Sequence, residues 1–173
     1  MKRRTIPMSE AVVAKLKKLA SDASGTLQVG FIDSPQAQIA FWNEFGHGGR
    51  FPAPARPFFR SMVSKDSPQW PAMMAAELKR NGMDGKKTLA YMGEHIDGEL
   101  KQSIIETNYP PLSKVTLRLR KKFGNQPQNI RLRDVYSAIS DVRRGATVAT
   151  GTQAKPLVWT GQMLNSTTYR VTK

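Results

Sequence analysis

His47 and His95 are the only two histidines among the 173 residues, and the chain has no cysteine. Glu44 stands three residues before His47, a spacing that can present two ligands to one metal ion. A zinc site needs three or four ligands, and the neighbourhood of His47 supplies no others, so a loop histidine with ordinary polar contacts is expected. His95 follows Glu94 beside an apolar stripe and is expected at a helix surface or half-buried. Glu94, Asp97 and Glu99 lie close in sequence, yet helical geometry spreads them around the surface and gives no paired-carboxylate site. Gly46-His47-Gly48-Gly49 lacks the Lys-Ser/Thr and the strand-then-helix setting of a phosphate loop. It reads instead as backbone freedom for a sharp excursion. No catalytic, cofactor-binding or metal-binding residue is assigned on this pattern, and a non-enzymatic protein is expected.

Two further groups are suited to binding rather than reaction. Lys114, Arg118, Arg120, Lys121 and Lys122, followed by Arg131 and Arg133, form a basic region suited to phosphates or an acidic partner. Only Phe123 adjoins it, so it lacks the interleaved aromatics of a single-strand stacking platform. No helix-turn-helix, zinc-finger or RNA-recognition signature accompanies it. Non-specific electrostatic contact with DNA or an acidic protein surface follows, and base readout does not. The second group is the segment Ile39 to Arg60. Phe41, Trp42, Phe45, Phe51, Phe58 and Phe59 place six aromatics within nineteen residues of a chain that is 8% aromatic. Such side chains are buried either in the domain's own core or against a partner. With Arg56 they are the candidate residues for a subunit or partner interface.

The elements that position these groups follow from periodicity and punctuation. Ser9 can cap a helix to about Ala20, with Val12, Val13, Leu16, Leu19 and Ala20 on one face. Thr26 to Asp33 alternates as a half-buried strand, and Asp33-Ser34-Pro35 opens a helix from Gln36 to Phe45. Pro57 to Val63 predicts a short helix, and another begins near Ser67-Pro68 and is broken at Asn81 to Gly85. Leu89, Met92, Ile96, Leu100 and Ile104 recur at spacings of three and four, which predicts a long amphipathic helix from about Lys86 to Thr107. Its methionines are read as gap-filling core. Tyr109-Pro110-Pro111 stops this helix. Leu112 to Phe123 is either a short basic helix capped by Ser113 or an extended arm. Leu132 to Arg144 is helical in pattern, Ala146 to Lys155 is strand or mobile loop, and Ser166 to Val171 alternates as a final strand after a helical turn at Thr160-Gly161. The class is α+β, a small antiparallel sheet packed against several helices, including one long amphipathic helix.

Composition bounds the partners. A 39% hydrophobic content over this length supports one domain with its own core. The absence of cysteine excludes disulfides and cysteine-ligated zinc and fits a reducing cytoplasm. Lysines interrupt the apolar positions near the start, so no signal-peptide core is present. No apolar run approaches the roughly 20 residues that span a bilayer; a soluble protein with no membrane partner is expected. The net charge of +14 is uneven: +5 over 1–60, −1 over 61–110 and +10 over 111–173. Such asymmetry suits an acidic partner, either nucleic acid or protein, or else a basic solvated surface without one.

Three stretches, in order, carry a resemblance. The first is Ile39-Ala40-Phe41-Trp42-Asn43-Glu44-Phe45-Gly46 leading into Pro54-Ala55-Arg56-Pro57-Phe58-Phe59-Arg60. The second is Tyr109-Pro110-Pro111-Leu112-Ser113 with Thr116. The third is Pro156-Leu157, Thr160-Gly161-Gln162-Met163-Leu164, Ser166 and Tyr169-Arg170-Val171. Together the set resembles the phage tail-component and virion-morphogenesis family, the neck or tail-completion proteins. Trp159 stands where that pattern has Asp before Thr-Gly, and 124–155 is longer than the usual link, which marks it as an insertion or extended arm within a single 1–173 domain. The resemblance implies a structural virion protein that completes the tail or joins tail to head as a homo-oligomeric ring. Its implied partners are copies of itself, tail-tube, tail-terminator and head-closure or connector proteins, with DNA in the lumen. Its implied location is the virion, and the host cytoplasm during assembly. The alternative is a non-specific nucleic-acid-binding protein using the basic 114–133 region.

Overall fold

Alternation in Thr26-Leu27-Gln28-Val29 turns Leu27 and Val29 to one face of a strand, and Tyr169 and Val171 do the same near the other end of the chain. In the computed structural model these segments pair. The structure describes residues 24–49 and 52–172, preceded by Glu10, Val13, Ala14, Lys17 and Ser21. Strand β1 (Thr26–Gly30) and strand β2 (Thr168–Thr172) run antiparallel, with Leu27 opposite Val171 and Val29 opposite Tyr169. β1 is shorter than expected because the chain turns at once, with Asp33 in a positive-φ conformation. The helix expected from Ser9 to about Ala20 falls for the most part outside the described residues.

Helices follow in the expected order: α1 (Gln36–Phe45), α2 (Phe58–Asp66), α3 (Trp70–Arg80), α4 (Gly85–Glu106), α5 (Lys114–Phe123) and α6 (Leu132–Arg143), with a single turn α7 (Gln162–Asn165) before β2. The 22 residues of α4 form the axis of the fold, with the sheet, α2 and α3 all packed against it. Its sequence explains both ends. Asp84 accepts the Lys87 N–H at 3.0 Å as an N-cap, and Asn108-Tyr109-Pro110 follows its last turn. The stripe Leu89, Met92, Ile96, Leu100 and Ile104 is buried along its whole length. Phe58, Met62, Leu157 and Met163 complete the core, with Leu27, Val29, Phe31 and Phe59 packed against it. The protein is therefore α+β: a two-stranded antiparallel sheet laid on helices, one of them long and amphipathic. No helix among the described residues is long and apolar enough to cross a membrane.

Ser113 accepts the Thr116 N–H at 3.1 Å and starts α5, so the extended-arm reading of 112–123 gives way to the capped helix. Within 124–155, α6 packs back on α5 and the Ala149 N–H donates to the Leu117 carbonyl at 3.1 Å. That segment is a helix and a returning loop, not an extended arm. Nor does 146–155 form a strand: it is irregular, with one 3₁₀ turn at Gly151–Ala154.

The helix α4 reaches the sheet at Gly93. A β-carbon there would fall inside the Tyr169 ring and press on Leu27. Gly98, five residues further on and on another face of the helix, meets open space. Overpacking costs about 1–3 kcal/mol, whereas Ala gains roughly 1 kcal/mol over Gly in an exposed helix interior. Gly93→Ala is therefore expected to lower the urea midpoint and Gly98→Ala to raise it. Equal shifts in the same direction would refute the close-approach account.

Candidate functional site

The aromatic segment divides. Along α1 the apolar side chains do not all turn inward: Ala40 is buried, whereas Phe41, Trp42 and Phe45 are 58%, 45% and 52% exposed. Phe41 and Phe45, one helical turn apart, touch with ring centroids 4.8 Å apart. Trp42 lies 6.0 Å from the His47 ring, and the Arg60 guanidinium covers Phe45 at 4.7 Å. Together with half-exposed Ile39 they make an apolar face unusual for a solvated helix. Phe58, by contrast, is 1% exposed and meets Phe31 edge-on, and Phe59 is packed against the core. Both were expected at an interface. The start of α2 turns them into the space between β1 and α4, so they hold the fold together instead. Phe51 lies outside the described residues.

Why α1 sits where it does is a matter of its last residues. α2 has no side-chain cap of its own, because Pro57 precedes it and offers none. Its free N–H groups need an acceptor from elsewhere. Glu44 supplies it: one carboxylate oxygen accepts the Phe59 N–H at 2.9 Å, and the other accepts the Arg60 N–H at 3.1 Å and its Nε at 2.8 Å. Glu44 is buried, and its charge faces the positive end of α2. This role was missed in the sequence, where Glu44 stood beside His47 as a weak metal pair. The signal was present: a helix entered through Arg-Pro, with no Ser, Thr, Asp or Asn to cap it. His47 instead pairs through its backbone with Ala53 at the base of the loop. Gly46, at φ 75°, cannot carry a β-carbon because the backbone of Ala53 and Ala55 lies within 2.9 Å.

Arg56, expected at the interface, is buried. Its Nε donates to the Pro110 carbonyl at 2.9 Å and a terminal nitrogen to the Pro111 carbonyl at 3.4 Å, while its own N–H donates to the Asn43 carbonyl at 2.7 Å. Arg120, expected on a basic surface, is buried too, at 5% exposure. It donates to the carbonyls of Gln153, Lys155 and Pro156 at 2.9, 2.6 and 2.8 Å and lies 4.9 Å above the Trp159 ring. Burial first, and the Arg56 charge second, pull its pKa down to about 10, which leaves it protonated at neutral pH. Trp159 in turn donates from its indole N–H to the Gly124 carbonyl at the end of α5. The three sequence blocks thus converge: Arg56 joins the first to the second, and Asn43 reaches the Met163 sulfur of the third at 3.7 Å.

The rest of the basic region is partly committed. Arg118 grips Asp141 at 3.0 and 3.1 Å and also donates to the Thr147 carbonyl. Lys122 lies 3.6 Å from Asp134, and Lys121 donates to the Thr147 hydroxyl at 2.7 Å. Lys114, Lys121, Arg131 and Arg133 remain on the exposed surface. Fewer cations face solvent than the charge run implies. On α4, Glu99 binds both His95 at 3.0 Å and the Trp70 indole N–H at 2.9 Å, which accounts for the half-buried histidine. Among the described residues no three His, Asp or Glu side chains converge as a metal site. The chain matches no family model, no curated protein and no solved structure.

Two predictions follow from this wiring. Glu44→Gln keeps the shape but removes the charge from three bonds, and a loss of about 1–3 kcal/mol is expected in chemical denaturation. An unchanged midpoint would remove the remote-cap assignment. The second concerns acid. Bonds from Arg118 and Arg144 hold the Asp141 pKa below the usual carboxylate range, and the Arg131 N–H does the same for Asp134. A carboxylate with a depressed folded pKa contributes stability above its unfolded value of about 3.9, and that contribution disappears as pH falls through the folded value. α6 should loosen below about pH 4, read as lost helical circular dichroism. The Asp134→Asn/Asp141→Asn variant should show a smaller acid change.

Proposed function

We propose that this chain is a non-enzymatic structural subunit of a phage neck or tail, completing the tail or joining it to the head as a homo-oligomeric ring. The observation that carries this reading is the aromatic face of α1. Phe41, Trp42 and Phe45 stand exposed on a helix whose end is locked by a buried carboxylate and a buried arginine. A rigid, exposed aromatic cluster is what an assembly contact needs: large apolar area at low entropic cost on binding. The three ordered blocks resembling the neck and tail-completion family support it as well, since their residues form the frame that holds this face. In this reading the partners are further copies of the chain and tail-tube, tail-terminator or head-closure proteins, with DNA passing through the lumen of the virion.

The test replaces Phe41, Trp42 and Phe45 with Ser. These side chains are exposed, so the fold is expected to survive by circular dichroism, while particles made with this variant carry unjoined heads and tails. Normal particles would overturn the reading. Phe58→Ser is unsuitable for this purpose, since losing a buried phenylalanine costs about 3–5 kcal/mol on its own. The alternative, non-specific DNA binding through Lys114, Lys121, Arg131 and Arg133, gains if the purified chain binds random duplex at physiological salt with a steep salt dependence.

A further inference from the structure

Beside α1 lies an open, largely apolar pocket of about 320 Å³. Its lining runs from buried Ala40 and Phe58 to exposed Phe41 and Phe45, with Ala37 and Arg60 at its edge. Glu44 is the one acid in the lining, and the start of α2 engages both of its carboxylate oxygens. No unpaired carboxylate therefore faces the space. Ligand sites begin at roughly 300 Å³, so this one has room for a single large side chain. A whole helix, about 10 Å across, does not fit. The most exposed large apolar side chain among the described residues is Tyr109, at 80%. It has no hydrogen-bond or ring partner among those residues. Its turn is nevertheless held, since Arg56 donates to the carbonyls of both Pro110 and Pro111. Pocket and tyrosine share one more property. On a chain of net charge +14, residues 107–113 carry no charge, and the only charged residue of α1 is buried Glu44.

We propose that Tyr109 of one copy inserts into the α1 pocket of the next. The inference rests on the assembly reading of the α1 face and names what covers it. Two copies of so basic a chain repel each other over most of their surface, and they meet at least cost where neither presents a charge. A tyrosine ring suits an apolar pocket walled by phenylalanines, and a buried aromatic anchor is the usual source of contact energy. Arg60 uses its Nε and one terminal nitrogen on Glu44. Its other terminal nitrogen is then a donor for the tyrosine hydroxyl. Little order has to be gained on docking, because Arg56 already fixes the turn and Glu44 the pocket. At 80% exposure Tyr109 does not fill the pocket of its own chain, which leaves that space to a neighbour. Knob and pocket are different surfaces, so the contact is heterologous. Repetition of one rotation then generates a ring or a filament rather than a closed pair. A nucleic acid is a poor occupant: its phosphates would find only Arg60, itself paired with Glu44.

Sedimentation of the full chain at about 50 mM and about 500 mM salt tests this. An apolar contact between like-charged copies should tighten at high salt, where the Debye length shrinks from about 14 Å to about 4 Å. Tyr109→Ala removes the knob, and Ala37→Trp fills the pocket; both positions are exposed, so the circular dichroism spectrum should not change. Each variant alone should associate more weakly than the parent chain by roughly tenfold or more. An equimolar mixture retains one native pocket, on Tyr109→Ala, and one native knob, on Ala37→Trp. It should form a one-to-one complex and nothing larger, a result that a symmetric contact or non-specific apolar aggregation does not give. Variants that associate like the parent chain, or a mixture that fails to pair, overturn the proposal. If association survives Tyr109→Ala but is lost when Phe41, Trp42 and Phe45 are replaced by Ser, something else covers α1: the proposal fails while the assembly reading stands. A parent chain that stays monomeric at both salts defeats both.

Discussion

A guanidinium taken out of water must replace its hydration with acceptors, and Arg56 and Arg120 find theirs in main-chain carbonyls rather than carboxylates. The carbonyls belong to segments that cannot satisfy themselves. Tyr109 to Pro111 is irregular and proline-rich, and Gln153 to Pro156 closes the single 3₁₀ turn at Gly151–Ala154 and runs on without regular structure, so no ladder or α-helix takes up their C=O groups. Each arginine offers several donors in a fixed planar fork, and between them they bind five such carbonyls. The arrangement is electrostatically uneven, since the two cations repel each other and no acid among the described residues neutralises them. What offsets this is the hydrogen bonding and the Trp159 face beneath Arg120. Much of the remaining structure hangs on it: the approach to α2, the turn after α4 and the return of the chain toward β2.

The same constraint sorts the aromatics. With Arg56 fixed under Pro110 and Pro111, and Glu44 fixed on the start of α2, the loop between α1 and α2 has both ends pinned. α2 then delivers Phe58 and Phe59 inward, and α1 can present only Ala40 and Glu44 as buried residues. Phe41, Trp42 and Phe45 are left outside because the face of α1 toward the core is already occupied by the residues that lock it. Exposure of these rings is thus a consequence of the frame and not a failure of the core. A helix held this firmly pays little entropy when its exposed face is covered.

The positive charge also changes meaning once positions are known. Arg120 leaves the surface altogether, and Arg118 and Lys122 bind Asp141 and Asp134 to hold α6 on α5. Only two acidic residues exist among the last 63, and both serve this pairing. The outward face of α6 is consequently cationic with nothing acidic of its own beside it, while the acids of the chain gather around α4.

Periodicity was enough to read the α+β class, the buried stripe of α4, the break before it at Asn81 to Gly85, and the two strands, because each depends on local spacing and on which side chains avoid water. The sequence could not say that Glu44 caps a helix 14 residues away, that Arg120 is buried while Lys121 beside it is not, or that Phe58 is core and Phe41 is surface. Those distinctions are non-local. A guanidinium, a carboxylate or a phenyl ring has the same composition on either side of the surface, and only the packing of α4 against the sheet and α2 decides which side each one occupies.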